Sequence, residues 1–136
     1  MVFIKDLEKY NCLSGDDDSF IAIGWLSGDD EFTRGEVSEV FFNKLVMLCD
    51  SPLQPVFSPG VHFCELCQFD GPGFSGNIFI PYKNEIYVAP VAIVHYINAH
   101  WYCPPDIFIQ AVIECPKMNS MEYKKALLTN GGKGLF

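Results

Sequence analysis

Basic residues are scarce in this sequence. Arginine occurs once, at Arg34, and lysine and arginine together number 9 against 17 acidic residues. Because nucleic-acid affinity depends largely on clustered positive charge, this composition argues against DNA or RNA as a partner. Residues 1–50 carry 11 acidic and 4 basic residues, for −7, whereas residues 51–136 carry 6 and 5, for −1. The acidic N-terminal half therefore favours a basic partner.

Long apolar runs are also missing. Runs such as Val91–Val94 fall far short of the roughly 18 to 20 residues that a membrane-spanning helix needs. The first ten residues include four charged ones and no extended apolar centre, unlike a secretory signal. We therefore expect a cytoplasmic protein without a membrane span, whose six cysteines are mostly reduced.

Length and composition predict one compact domain over residues 1–136. Hydrophobic residues make up 49% and aromatic residues 15% of the chain, which is enough apolar surface to build a core. We expect an acidic N-terminal half over 1–50 and a proline-rich connection over 51–60. A half with cysteine and histidine motifs follows over 61–116, and a C-terminal helix and tail over 117–136.

Hydrophobic spacing predicts an α+β fold: a small antiparallel sheet or hairpin with three to four helices, and a zinc-knuckle-like loop packed against a helix. The predicted strands are Ser19–Leu26, Val61–Cys64, Asn77–Tyr82 and Glu85–Ala89. The predicted helices are Gly35–Cys49, Pro90–Ala99, Asp106–Glu114 and Met121–Leu128. A turn at Lys83 and Asn84 joins the last two strands into a hairpin.

Apolar residues at helical spacing indicate which helix faces are buried. For the helix over 35–49 they are Val37, Val40, Phe41, Leu45 and Leu48. For the helix over 106–114 they are Ile107, Phe108, Ala111 and Val112. Pro90 is expected in the first turn of its helix, where its missing N–H costs nothing.

The motif His62-x-Cys64-x-x-Cys67 has the spacing of a metal-binding knuckle. Two cysteines separated by two residues can turn both sulfurs toward one zinc ion, about 2.3 Å from each. Further ligands are available in His95 and His100, whose separation suits a Cys2His2 site closed by a helix. We therefore predict a zinc site that includes Cys64, Cys67 and His95.

The fourth ligand is either His100 or His62. On a regular helix a five-residue step leaves two side chains roughly 140° apart, so His95 and His100 cannot share one ion unless the helix loosens near Ala99. If the helix stays regular, His62 is the rival ligand, because it lies two residues from Cys64 on the same face of its strand.

Two other interpretations of these residues stay open. In one no metal binds, and Cys64 and Cys67 are buried thiols beside core histidines that bond to the backbone. In the other three protein ligands hold the metal and an open position activates water, with Glu65 or the unused histidine moving protons. A redox role for the cysteines is not favoured, because the glycine-rich stretch that follows predicts a loop rather than a helix.

Several short motifs together resemble a family of short uncharacterised bacterial proteins. They are Gly24-Trp25-Leu26, His62-x-Cys64-Glu65-x-Cys67, Gly76-Asn77, Tyr87-Val88-Ala89-Pro90, Ile93-x-His95-Tyr96-Ile97, His100-x-Tyr102 and Pro104-Pro105. The resemblance covers about Gly24–Cys115 and implies a bacterial, soluble, single-domain protein of unknown function. It also implies one shared site at Cys64, Cys67, His95 and His100, with His62 attached. Trp101 stands where the resemblance implies a small residue such as glycine.

These observations favour a structural-zinc domain whose function is to bind a protein partner. A site closed by four protein ligands contributes to folding and leaves no position for water. The acidic N-terminal half would then attract a basic surface. A small metal-dependent enzyme of hydrolase or deaminase type and a metal-free globular domain are the alternatives.

Overall fold

The computed structural model describes residues 4–9, 20–28, 31–50, 52, 62–67, 69 and 71–132. These residues form an α+β fold, as the hydrophobic spacing predicts. Its elements are β1 Phe20–Ala22, α1 Glu39–Asp50, β2 His62–Phe63, β3 Gly73–Phe74, β4 Asn77–Tyr82, β5 Glu85–Pro90, α2 Ile93–His100, α3 Asp106–Glu114 and α4 Met121–Thr129. The proline-rich connection predicted over 51–60 lies outside the described residues except for Pro52.

The central sheet has three strands in the order β1-β5-β4. β4 and β5 form the predicted antiparallel hairpin, in register from Asn77 opposite Pro90 to Tyr82 opposite Glu85. β1 lies parallel to β5, with Phe20 opposite Ile86, so the sheet is mixed and the predicted antiparallel hairpin makes up two of its three strands. The long stretch between β1 and β5 contains α1 and allows the crossover that a parallel pair requires.

The hairpin turn has the conformation expected of a tight two-residue connection. Lys83 and Asn84 both have positive φ, 47° and 69°. Positive φ at both central residues matches the right-handed twist of the flanking strands. The turn therefore pins the register of β4 against β5.

The hydrophobic core lies around the hairpin. Nearly every residue of β4 and β5 is buried. Helices α3 and α4 pack on β4, and α1 packs on α2 and α3. The phenol of Tyr123 in α4 donates to the carbonyl oxygen of Phe79 in β4 at 2.6 Å, which satisfies a buried polar group at this contact.

Helix α1 begins later than predicted. Ser38 ends the preceding segment, and its hydroxyl accepts the N–H of Phe41 at 3.2 Å, so the helix starts at Glu39 rather than Gly35. Phe41, Leu45 and Leu48 are buried, but Val40 is 69% exposed. The prediction that Val40 lies on the buried face of the helix was therefore wrong. Val40 precedes Phe41 by one residue, which turns its side chain about 100° away from the line of buried positions. The same correction applies to Ile107 in α3, which is 40% exposed beside the buried Phe108.

Pro90 ends a strand rather than starting a helix. It is the last residue of β5 and lies opposite Asn77, and α2 starts at Ile93. Pro90 lies beyond the part of β5 that pairs with β1, so its missing N–H takes nothing from that ladder. Among the described residues no helix combines the length and the apolar character needed to cross a membrane.

The half-buried carboxylate of Asp6 ties the N-terminal segment to the end of α2. Asp6 accepts the N–H of Gly24 at 2.9 Å and the phenol of Tyr102 at 2.7 Å. The indole N–H of Trp25 donates to the carbonyl of Val88 at 2.9 Å. Gly24 has φ of +76° and faces Ile93 in α2, a position that disfavours any side chain. These contacts hold α2 in place against β5 and the N-terminal segment.

Candidate metal centre

The knuckle is a tight loop that starts where β2 ends. β2 pairs with β3, with His62 opposite Phe74, and the N–H of Cys64 donates to the carbonyl of Pro72 at 3.1 Å. The Cys64 side chain is only 5% exposed. Backbone N–H groups of Leu66 and Cys67 form hydrogen bonds with its sulfur. Such amide donors stabilise a thiolate and are what a metal-binding knuckle needs.

Helix α2 supplies the two histidines. His95 lies in the first turn and His100 is the last residue of the helix. The ring of Phe74 in β3 lies 5.5 Å from that of His95, so the β2–β3 hairpin packs directly on the helix. The two imidazole rings lie 5.1 Å apart at an interplanar angle of 78°.

A widened turn at the end of α2 brings His100 back toward His95. The N–H groups of Trp101 and Tyr102 both donate to the carbonyl of Tyr96, and Trp101 is left-handed with φ of 59°. In the usual helix ends, the left-handed residue donates to the carbonyl four positions back, or the residue after it donates to the carbonyl five positions back. Here the corresponding spans are five and six positions. The additional residue reduces the angle between side chains five positions apart, as in a π-type turn. This is the loosening that the predicted site required.

Four potential ligand atoms from the knuckle and α2 converge on one point. The ligand atoms of Cys64, Cys67, His95 and His100 all lie within 4.8 Å of one another. The sulfur of Cys67 lies 3.3 Å from Nε2 of His95 and 3.4 Å from Nε2 of His100, and the sulfur of Cys64 lies 3.5 Å from Nε2 of His100. Tetrahedral zinc would hold sulfur and nitrogen about 3.5 Å apart. The four residues are therefore close enough to bind a metal ion.

A bound metal ion accounts for more of the close contacts among these four atoms than hydrogen bonds from the thiols do. A protonated thiol has one hydrogen, so Cys67 can donate to only one of the two Nε2 atoms it faces and must accept from the other, which would then carry the ring proton. A cation at the centre would contact all four atoms at once. The donor set and its spacing thus fit a metal ion.

Burial and neighbouring charges favour the neutral form of both histidines. Burial lowers the pKa of His95, and the adjacent His100 lowers it further. Burial also lowers the pKa of His100, with a second contribution from the guanidinium of Arg34. Burial raises the pKa of Cys64, whereas the amides of Leu66 and Cys67 lower it. Neutral imidazole is the form that binds metals, so the lowered pKa values of the two histidines favour ligation, whereas the raised pKa of Cys64 favours its thiol, which a metal must deprotonate.

The structure brings together four of the five predicted ligands. The backbone of His62 pairs in β2, but its side chain lies outside the described part of the structure, so its role as a rival ligand stays a prediction. Glu65, the alternative proton carrier, has an exposed side chain between the two cysteines. Cys49, Cys103 and Cys115 lie outside the cluster, and Cys12 is among the residues that are not described.

Sequence reasoning missed three residues that shape the centre. Phe74 packs on His95, the carbonyl of Tyr96 closes the widened turn, and Gly71 contacts the backbone of Cys64. A methyl group at Gly71 would collide with the Cys64 carbonyl oxygen, which explains the glycine. The run Gly71-Pro72-Gly73 directly after the knuckle was a usable signal for a close backbone contact. Phe74 and Tyr96 carried no such signal.

The family to which this chain belongs follows from a match over most of its length. Residues 2–113 match the family described as Domain of unknown function (DUF7919). The chain belongs to this family. The DUF7919 match includes all four residues of the cluster and ends within α3, and it confirms the resemblance to a family of unknown function. Neither curated proteins nor solved structures include a match to the chain.

Proposed function

We propose that this DUF7919 protein is a small protein-binding module stabilised by zinc. Cys64, Cys67, His95 and His100 would hold the ion, which ties the knuckle to the end of α2. The observation that supports this most strongly is the convergence of four ligand atoms, from segments far apart in sequence, within 4.8 Å. Zinc in such a site contributes folding free energy, because the unfolded chain has no preformed site.

Zinc fits the chemistry of these donors better than other common metals. Two thiolates and two imidazoles in tetrahedral array are typical of structural zinc, whereas calcium and magnesium prefer oxygen ligands. Sulfur-to-nitrogen distances of 3.3 to 3.5 Å agree with the spacing around a tetrahedral ion. Both features support zinc as the resident ion.

A structural role is supported over catalysis by the number of ligands. Four side chains fill a tetrahedral shell, so no position is left for a reactive water. Deaminase-type sites also place a glutamate two residues after a histidine ligand. Ile97 and Tyr102 occupy those positions after His95 and His100. The arrangement therefore favours binding rather than hydrolysis.

Metal content is the first test. We expect protein purified without added metal to contain about one zinc per chain by elemental analysis. Replacement of zinc by cobalt should produce the visible absorption of a tetrahedral thiolate site. Purified protein without metal, whose melting temperature is unchanged by zinc or by a chelator, would contradict the proposal.

Substitution of a ligand tests the structural role. Cys67→Ser should abolish stoichiometric zinc binding and lower the free energy of unfolding by about 3 kcal/mol or more, because a structural metal stabilises only the folded state. Cys103→Ser is the matched control, since Cys103 is a half-buried thiol outside the cluster. Urea unfolding with and without chelator measures both. A Cys67→Ser variant that unfolds like the parent would refute the structural role.

A further inference from the structure

A groove lies between the start of α1 and the end of α2, next to the metal centre. Its volume is about 390 Å³. Segment 35–39 and α1 residues Phe42 and Asn43 form one side, and Ile97, Asn98 and Trp101 of α2 and its end form the other. A volume of this size lies within the range of ligand-binding sites.

Backbone hydrogen bonds hold the two sides of this groove together. The N–H of Gly35 donates to the carbonyl of Trp101 at 3.0 Å, and the N–H of Cys103 donates to the carbonyl of Thr33 at 2.9 Å. Arg34 and Tyr102 pair between these two bonds as an antiparallel bridge. The groove is therefore built into the fold, and a ligand would not have to order it.

The walls of the groove suit a positively charged group. Glu36 and Glu39 contribute carboxylates, Trp101 contributes an aromatic face, and Phe42 and Ile97 contribute apolar surface. Carboxylates together with an aromatic face bind ammonium and guanidinium groups through ion pairing and cation–π contact. Arg34 does not line the groove; its guanidinium lies 4.5 Å from the centre of the Phe32 ring and close enough to His100 to lower the pKa of that histidine.

Trp101 is poorly explained by folding alone. Its φ of 59° is a left-handed conformation that glycine adopts without steric cost. Its side chain is 61% exposed, so burial does little to compensate for this strain. A large aromatic side chain at such a position is better explained by contact with something outside the chain.

We propose that this groove binds a basic segment of a protein partner, with a lysine or arginine side chain placed over Trp101 and paired with Glu36 and Glu39. This inference rests on the proposed function and deepens it by naming the surface and the chemistry of the partner. A basic segment would also be drawn to the chain by long-range attraction, because residues 1–50 carry a charge of −7.

Binding of a model peptide tests the inference directly. The probe is a short, capped, fluorescein-labelled peptide of alternating arginine and alanine, and its anisotropy is measured with the full chain in the presence of zinc. A peptide with glutamine in place of arginine is the control for charge. The parent should bind the arginine peptide, and the emission of Trp101 should change, while the buried Trp25 contributes a constant background.

Two sets of variants locate the site. Trp101→Gly should weaken binding about tenfold without lowering the melting temperature, because glycine suits the left-handed backbone. Glu36→Gln with Glu39→Gln should weaken binding about tenfold. Glu114→Gln with Glu122→Gln, on exposed positions of α3 and α4, removes the same charge elsewhere and should have little effect.

The following results would reject the groove as the binding site. No binding by the parent, or equal binding of the glutamine peptide, excludes a cationic ligand at this surface. Equal weakening by both glutamate pairs shows non-specific attraction to an acidic protein. Zinc content of the same samples separates this inference from the proposed function: a chain that binds the peptide at the groove but holds no zinc retains the inference and loses the zinc-stabilised role.

Discussion

The geometry of the candidate metal centre depends on the absence of a side chain at Gly71. The carbonyl of Pro72 accepts the N–H of Cys64, which draws this segment against the backbone of the knuckle. A methyl group at Gly71 would meet the amide nitrogen of Cys64 at 3.3 Å and its carbonyl carbon at 3.2 Å, and would collide with the carbonyl oxygen. The position of the Cys64 sulfur therefore depends on glycine at this place.

We predict that Gly71→Ala weakens the metal site although it removes no ligand. The backbone of Cys64 must shift, which should reduce zinc affinity by more than about tenfold and stability by about 2 kcal/mol. Competition with a zinc-binding dye and urea unfolding measure the two effects. Gly35→Ala is the control, since a methyl there meets only the Cys103 side chain, at 3.4 Å and 3.6 Å. Unchanged zinc affinity in Gly71→Ala would show that the knuckle tolerates the displacement.

At the scale of elements, the end of α2 connects the metal centre to the N-terminal segment. Tyr96 accepts the two amides that widen the last turn, and Tyr102, the second of the donors, also donates its phenol to Asp6. Tyr102 is fully buried, and burial and the neighbouring Asp6 raise its pKa well above the ordinary value. The widened turn that places His100 in the cluster is therefore linked to the N-terminal segment by the hydrogen bond from Tyr102 to Asp6.

Tyr102→Phe should lower the free energy of unfolding by about 2 kcal/mol, because Asp6 loses a part-buried hydrogen bond from a phenol that is itself fully buried. Tyr82→Phe is a matched control: its phenol donates to Glu114 at 2.9 Å, but on the exposed surface. That change should cost well under about 1 kcal/mol. Thermal or urea unfolding of the two variants measures the difference. Equal losses of unfolding free energy in the two variants would mean that the hydrogen bond to Asp6 stabilises the fold no more than the exposed one to Glu114 does.

At the scale of the whole molecule, the buried thiol of Cys115 and the half-buried thiol of Cys49 make stability sensitive to alkaline pH. Burial raises the pKa of Cys49 and of Cys115 from 9.0 to about 12. The unfolded chain loses these protons near the ordinary pKa, whereas the folded chain retains them. Where the folded state binds more protons than the unfolded state, stability falls as pH rises. The stabilising effect is therefore complete below about pH 9 and is lost progressively toward about pH 12.

We accordingly predict that the free energy of unfolding in urea falls as the pH is raised from about 9 to about 11, measured on samples whose bound-metal content is the same at every pH. Cys115→Val should reduce this slope, because it removes a thiol whose pKa is higher in the folded chain than in the unfolded chain. The test compares how steeply the free energy of unfolding changes with pH in the parent and in the variant. A loss of stability that is the same at every pH does not affect this comparison. A slope that does not change would place the alkaline sensitivity in other groups.

The sequence by itself determined the local parts of this protein. The α+β class, the β4–β5 hairpin with its turn at Lys83 and Asn84, and α3 follow from spacing and turn chemistry, which act between near neighbours. The knuckle was visible for the same reason, because its two cysteines are three positions apart.

Only the tertiary structure decided what depends on distant segments. The parallel pairing of β1, the end of β5 at Pro90 and the phase of α1 reflect packing partners far away in sequence. The place of His100 in the cluster depended on a widened turn, whose carbonyl acceptor Tyr96 carries no sequence signal. Local propensities specify elements, but the convergence of four ligand atoms requires the loop, the hairpin and the helix to be packed together first.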